Sequence, residues 1–478
     1  MVRALTIPLC SVLALTPLGL ADAPASATVT ASSSLPATPS PVRGVDQPST
    51  PIAQRPTHGR TASYLVNLRD TSRNTRLLGH RAVVRAGGRV VAAWPEIGVL
   101  VVQSTDARFL GRVRTARGVE SAGATRTVPV RPTPTSARMV TSGSRGGRER
   151  GLWNLSMVRA DQAHHVTRGS KAVRVAIVDS GVDPTHPDLK GALDPATSIG
   201  CTNGGRPVKG VGAWRATNNP HGTHVAGIVG AARNGVGVVG VAPGVRLSSI
   251  KVVDEQGMIY PEYALCGVMS AARSGARVAN HSYFVDPFVF WCDDQPGQRA
   301  VKTSLQRAFA WSARRGMVNV AAAGNSGVDL TKKGVDSESP TDARARTRRI
   351  NSGCTDLPTE LKGVVSVSAV DRTREFAPYS NDGLGIVDVT APGDEILSTV
   401  PGGRYAIESG TSMAAPHATG VLALLATRHP KATPTQLTGM LKRQARPLPC
   451  PRDTGCRRKG SVTSYYGHGL VDALAAVK

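Results

Sequence analysis

Residues 174–189 read RVAIVDSGVDPTHPDL, and the first six of them decide the architecture. Val175, Ala176, Ile177 and Val178 are apolar at every position rather than at alternate ones, and the run closes on Asp179-Ser180-Gly181. An alternating strand hides one face, whereas a continuous apolar run hides both, the condition of a strand inside a parallel sheet. Runs of the same kind recur at 245–253 (VRLSSIKVV), 276–283 (ARVANHSY), 317–324 (MVNVAAAG) and 364–370 (VVSVSAV). Between them lie helical segments at 224–233, 262–275 and 301–316. This alternation predicts an α/β fold across residues 152–478: a doubly wound, mostly parallel sheet flanked by helices. Sites in such a sheet form at the C-terminal ends of its strands.

The chain ahead of this domain divides by composition. Residues 1–27 start with Arg3, continue through an apolar stretch and exit through small residues, the pattern of a signal peptide that directs export. Pro8 and Pro17 interrupt the stretch, which is too short to span a bilayer. Residues 28–60, rich in Ser, Thr, Pro and Ala, cannot build a core and read as a disordered leader. Order returns at 61–128. Here ASYLVNL (62–68), GVLVVQS (98–104) and VESAGATRTV (119–128) are strand-like, and RNTRLLGHRAVVRAG (73–87) and DARFLGRVRTA (106–116) are helical. A small α+β domain follows. Residues 129–151 lose periodicity and gain Pro, Gly, Ser and Arg, as an exposed linker does.

Four polar residues stand at element ends in the large domain. Asp179 closes the opening strand, and His221 starts a helix in NNPHGTHVAGI (218–228). Asn325 follows the strand in VNVAAAGNSG (318–327), and Ser412 enters a helix in SGTSMAAPH (409–417). Singly, each is an ordinary turn or cap residue. Together they are the complement acyl transfer requires. A serine hydroxyl needs an imidazole to take its proton, a carboxylate holds that imidazole in its tautomer, and an amide stabilises the oxyanion. His221 and His224 are three apart with no Glu beside them, which is not the spacing of a helical zinc pair.

The wording around these residues, VAIVDSGVDPTHPDL, HGTHVAGI, AAAGNSG and SGTSMAAPHATG, resembles the four signatures of the subtilisin-like serine peptidases, in that family's Asp, His, Asn, Ser order. GVGVVGVAPGVRLSSIKVVD, APYSNDG and VTAPGDEILST extend the resemblance over about residues 155–475. It implies a serine endopeptidase with Asp179, His221 and Ser412 as triad and Asn325 in the oxyanion hole. Ser282 would lie on a strand that pairs with substrate. Tyr283 and Phe284 stand where the family has Leu-Gly, which bears on substrate preference rather than chemistry. The 61–128 domain resembles the family's inhibitory propeptide, an intramolecular inhibitor, with the processing site in the 129–151 linker. The chemistry needs no cofactor. The family often binds structural calcium, and Asp188 and Asn234 match places that hold one; two ligands fall short of what calcium takes, and the metal ligands stay undecided.

The net charge of +25 spreads over both parts of the chain. It favours loose attraction to anionic surfaces, and without a basic helix or stacking aromatics it specifies no nucleic-acid partner. With the signal removed, no membrane segment remains. The expected product is a secreted, extracellular monomer acting on proteins or peptides. Six cysteines follow the signal, an even number in an exported chain. Cys450 and Cys456 can close a small loop, and the pairing expected for the rest is Cys201–Cys266 and Cys292–Cys354.

Overall fold

In the computed structural model, which describes residues 47–52, 59–130, 144–145 and 151–478, the Arg174–Asp179 strand lies inside an eight-stranded sheet. The order is Val389–Pro392, Val364–Val370, Val318–Ala322, Val278–His281, Arg174–Asp179, Arg246–Lys251, Ile199–Asn203 and Arg206–Val208. Every neighbouring pair is parallel except the last, which is antiparallel.

The continuous apolar run is explained by its two faces. Val175 and Ile177 enter a core with the helices His221–Gly230 and Thr411–Arg428, while Ala176 and Val178 enter a second core with Pro261–Arg273 and Pro296–Arg314. The Thr411–Arg428 helix is buried from Met413 to Ala426. A helix that is apolar all round belongs in the middle of a large domain, and each aliphatic side chain it hides there contributes about 1.5–3 kcal/mol. Its small residues let neighbours close in.

The N-terminal domain is a four-stranded antiparallel sheet in the order Gly88–Trp94, Val99–Ser104, Ala62–Leu68, Val119–Ala124, with helices Arg73–Arg85 and Phe109–Arg114. The edge strand Gly88–Trp94 was not among the expected elements; its residues are mostly part-exposed, its apolar run Val90–Trp94 shows no alternation, and its register shifts between Val90 and Ala92. Period 2 sorts the Ala62–Leu68 strand. Tyr64, Val66 and Leu68 face the domain's own core with Val83, Phe109 and Val113. Leu65 instead joins Trp94, Ile97, Val99 and Val101 in the core built on Pro261–Arg273 and Pro296–Arg314. The sheet thus covers both helices. Asn67 Nδ2 donates to Ala300 O (2.7 Å) and Ser304 Oγ donates to Asn67 Oδ1 (2.8 Å), which pins its register on the second helix.

The leader reading of 28–60 needs correction at one place. Ser49 is buried, and its N–H and Oγ donate to the two oxygens of Asp294 (2.7 and 2.6 Å); Thr50 N–H donates to Arg349 O (3.0 Å). Composition, which tests only for a self-made core, misses a segment whose partners lie in another domain. Residues 1–46, which include the expected signal peptide, leader residues 53–58, and linker residues 131–143 and 146–150 lie outside the described residues. The three disulfides are Cys201–Cys266, Cys292–Cys354 and Cys450–Cys456, as expected. Among the described residues no helix is long and apolar enough to cross a membrane.

A Cβ placed on Gly420 would lie 2.5 Å from Val241 Cβ, so the central helix has no room for one there. Gly420→Val is expected to destabilise by about 1–3 kcal/mol through overpacking. Calorimetry of this variant in a Ser412→Ala background, which prevents self-digestion, should show Tm lowered by several degrees.

Candidate active site

Asp179 ends its strand at 1% exposure, so its charge must be met inside the protein. His221 Nδ1–H donates to Asp179 Oδ1 (2.9 Å) and Oδ2 (3.0 Å), and Ser180 N–H donates to Oδ1 (2.6 Å). The helix that carries His221 is held at its start by Asn219 Oδ1, which accepts from His221 N–H (2.9 Å), and by Ser180 Oγ, which accepts from Gly222 N–H (2.9 Å). Gly222 is needed for the approach: a Cβ there would sit 2.5 Å from Gly181 O and 3.1 Å from Asp179 Oδ1.

Burial works against the charged form of His221. The Asp179 carboxylate, through charge and hydrogen bond, and the charge of Glu408 outweigh it and lift the imidazole pKa from 6.5 to about 9. The sequence reading missed Glu408. It ends the Arg404–Glu408 strand that feeds the Thr411–Arg428 helix, and burial raises its own pKa.

Ser412 is the second residue of that helix, and its Oγ donates to the Ser282 carbonyl at 3.3 Å, not to His221. Ser282 clamps it from the other direction, since Ser282 Oγ donates to Ser412 O (2.9 Å) and accepts from Asn280 Nδ2 (2.8 Å). Among the described residues the Ser412 N–H meets no acceptor, and Met413 N–H turns back to Gly410 O (2.9 Å). The Asn325 amide is oriented by Thr411, whose N–H and Oγ1 both donate to Asn325 Oδ1 (2.9 and 2.7 Å). With its oxygen occupied, the amide turns Nδ2 toward Gly410, where among the described residues it meets no acceptor. Thr411 was not singled out in the sequence, although it directly precedes the serine.

His224 and His417 are core residues. His224 Nε2–H donates to Ile396 O (3.0 Å) and Ala406 O (3.1 Å), and His417 Nδ1–H donates to Met413 O (2.8 Å); burial pushes the two down to about 3 and about 4. Tyr283 is turned toward the interior, its hydroxyl donating to buried His281 Nδ1 (2.9 Å), and Phe284 packs against the Phe290–Ile350 cluster, so both rings are half-buried. At Asp188 the donors Asn234 Nδ2 (3.0 Å), Tyr405 OH (2.8 Å) and Val238 N–H (3.3 Å) converge on the carboxylate, and Asn234 Oδ1 is taken by Val236 N–H (3.0 Å). A set of proton donors does not fit calcium, which takes about six to eight oxygens.

A carboxylate–imidazole pair, a serine at a helix start and an oriented amide, on the C-terminal edge of a parallel sheet, are the groups that serine acyl transfer uses. Residues 170–469 match the subtilase family, and the chain belongs to that family; it is a serine-type endopeptidase. It is 32% identical over 333 residues to Subtilisin Savinase of Lederbergia lenta, covering 68% of this chain and 98% of that protein. It is likewise 32% identical over 333 residues to the M-protease of Shouchella clausii (strain KSM-K16), 68% of this chain and 70% of that one. Its fold is that of the epidermin leader peptide processing serine protease of Staphylococcus aureus, with TM-score 0.65 at 20% identity over 87% of this chain and 98% of that structure.

Three outcomes follow from this geometry. Asn325→Ala should lower kcat by about 10²–10³ with little change in KM, the range known for an oxyanion donor in subtilisin. Because the base must be neutral, kcat/KM should rise about tenfold per pH unit up to about 9, where His221 titrates. A pH–rate profile of Glu408→Gln should place that limb lower, since one attracting charge is gone.

Proposed function

We propose that this chain is an exported endopeptidase, made as an inactive precursor and matured by its own site. Its parts are a signal peptide (1–27), a leader, an inhibitory propeptide domain (61–128), a linker with the cut (129–151) and the catalytic domain (152–478). The observation that carries the chemistry is the His221 ring paired with the buried Asp179 carboxylate, together with a helix-start serine whose neighbour Thr411 holds the Asn325 amide oriented.

In this reading Ser412 Oγ turns from the Ser282 carbonyl to His221 when substrate binds. Its oxygen attacks the scissile carbonyl carbon while its proton passes to Nε2. The resulting imidazolium is stabilised by Asp179, and the oxyanion by Asn325 Nδ2, the Ser412 N–H and the positive end of the helix. Collapse returns the proton to the leaving amine and leaves an acyl-enzyme. Water then repeats the sequence and frees the acid.

Self-inhibition is supported by how the propeptide domain meets the catalytic helices and by the ends of the linker. Val130 N–H, at the start of the linker, donates to Thr61 O (2.8 Å) of the propeptide domain. Ser144 pairs with Tyr405, on the strand that runs on through Glu408 toward Ser412. Val130 thus lies at the propeptide domain, and Ser144 lies beside the Arg404–Glu408 strand that leads to the helix of Ser412. The aqueous, extracellular setting follows from the signal pattern and three disulfides, and a monomer suffices because all four site residues come from one chain. Calcium at Asp188 has no place in this proposal.

The precursor without its signal, as wild type and as Ser412→Ala, separates this from an inert binding protein. Only the wild type should shed about 100–130 N-terminal residues and then digest casein, by gel and intact mass. Two folded chains that both stay full length and inert would refute the enzyme's self-maturation.

A further inference from the structure

Glu262 is a carboxylate of the catalytic domain whose hydrogen-bond partners, among the described residues, all lie outside that domain. It is the second residue of the Pro261–Arg273 helix and is fully buried. Its Oε1 accepts from Ser63 Oγ (3.0 Å) and from Arg126 Nη2 (2.8 Å) and Nε (3.2 Å), all groups of the propeptide domain. Its Oε2 is buried without a hydrogen-bond partner. Burying an ionised carboxylate without a counterion costs several kcal/mol, so a helix that presents one here calls for a cation from elsewhere.

Arg126 supplies it in a slot shaped for a guanidinium. The Arg126 side chain is 6% exposed. Its Cζ lies 3.6 Å from the centroid of the Tyr260 ring and 5.2 Å from that of Tyr263, and Nη2 donates to Tyr263 OH (2.8 Å). An aromatic face on one side and a carboxylate accepting two N–H groups on the other suit arginine's flat, weakly hydrated fork better than lysine's point charge. A cavity of about 190 Å³ adjoins the slot, lined among others by Val128, Asp254, Met258 and Asp342, so further acids face the same space.

The slot is joined to the catalytic face. Ile259 N–H donates to Asp286 Oδ2 (2.6 Å) and Asp286 N–H to Ile259 O (3.0 Å), which ties the Tyr260 loop to the segment beginning at Ser282, the residue that accepts the Ser412 hydroxyl. Arg126 also precedes the linker in sequence. A substrate entering in the same direction would place here a residue upstream of its scissile bond.

We propose that the slot formed by Tyr260, Glu262 and Tyr263, filled in the precursor by Arg126, is a recognition pocket for an arginine side chain upstream of the cleaved bond, open once the propeptide domain has left. This rests on the maturation reading above. The test uses processed enzyme whose serine has been blocked by a sulfonyl fluoride, titrated into fluorescein-labelled peptides of residues 118–130 carrying either Arg126 or Arg126→Gln. By fluorescence anisotropy the Arg peptide should bind at least about tenfold more tightly, and the ratio should fall toward one in Glu262→Gln enzyme. Tyr260→Leu, which removes the aromatic face and keeps the acid, should lower it severalfold and serves if the first variant does not fold. A ratio near one in the wild type, or a ratio unchanged in both variants, overturns the pocket. Casein digestion by the same preparation before blocking separates the two claims: an active enzyme with a ratio near one refutes the pocket alone. If the precursor never processes itself, the maturation reading fails, and trypsin cleavage at the linker arginines, followed by removal of the propeptide domain, gives the chain for the same titration.

Discussion

A carboxylate with 1% of its surface exposed at the end of a central strand sets the terms for the catalytic domain. Asp179 cannot keep its charge there without donors, and the low-dielectric surroundings that make it costly alone make it strong once paired. Its donors are the His221 ring and the Ser180 backbone, and the ring reaches it only because the helix comes in over Gly222. The same charge raises the His221 pKa, with help from Glu408. Strand, glycine, helix and base are therefore one device, whose geometry is decided by the need to satisfy a buried acid.

The other half of the site depends on a helix that the core needs anyway. Thr411–Arg428 runs through the main core and has little freedom to shift, so Ser412 at its start is held by packing far from the reaction. Thr411 and Ser282 then carry out the fine placement, one aiming the Asn325 amide and the other gripping the nucleophile's backbone. The interface with the N-terminal domain repeats the logic of Asp179 across a domain boundary. Glu262 is a buried acid met by a cation that the other domain supplies. The exposed pairs at the interface rim, such as Arg273–Glu96 and Arg307–Glu120, contribute about 0–1 kcal/mol each and matter less than this buried contact.

The α/β fold, and the placement of the four candidate site residues at element ends, were legible because their signals are local. Val175–Val178 is apolar at every position since each face of the strand meets a different core, and Asp179, His221, Asn325 and Ser412 stand out where apolar runs begin or end. The edge strand Gly88–Trp94 and the anchored residues Ser49 and Thr50 were not legible. The first is half-solvated and lacks a clean period; the second owes its order to Asp294 and Arg349, 245 and 299 positions away.

By itself the sequence determined which strands would be covered on both sides, which residues would sit at their ends, and the family to which that wording belongs. Those properties follow from side-chain period and from motifs a few residues long. Only the tertiary structure decided that Glu408 would bias the base, that Thr411 would fix the amide, that Asp188 would be surrounded by donors, and that Glu262 would have its cation in another domain. Each of these is a pairing between residues set by the packing of distant elements, and a charge or hydrogen bond acts over a few ångströms of space whatever the separation along the chain.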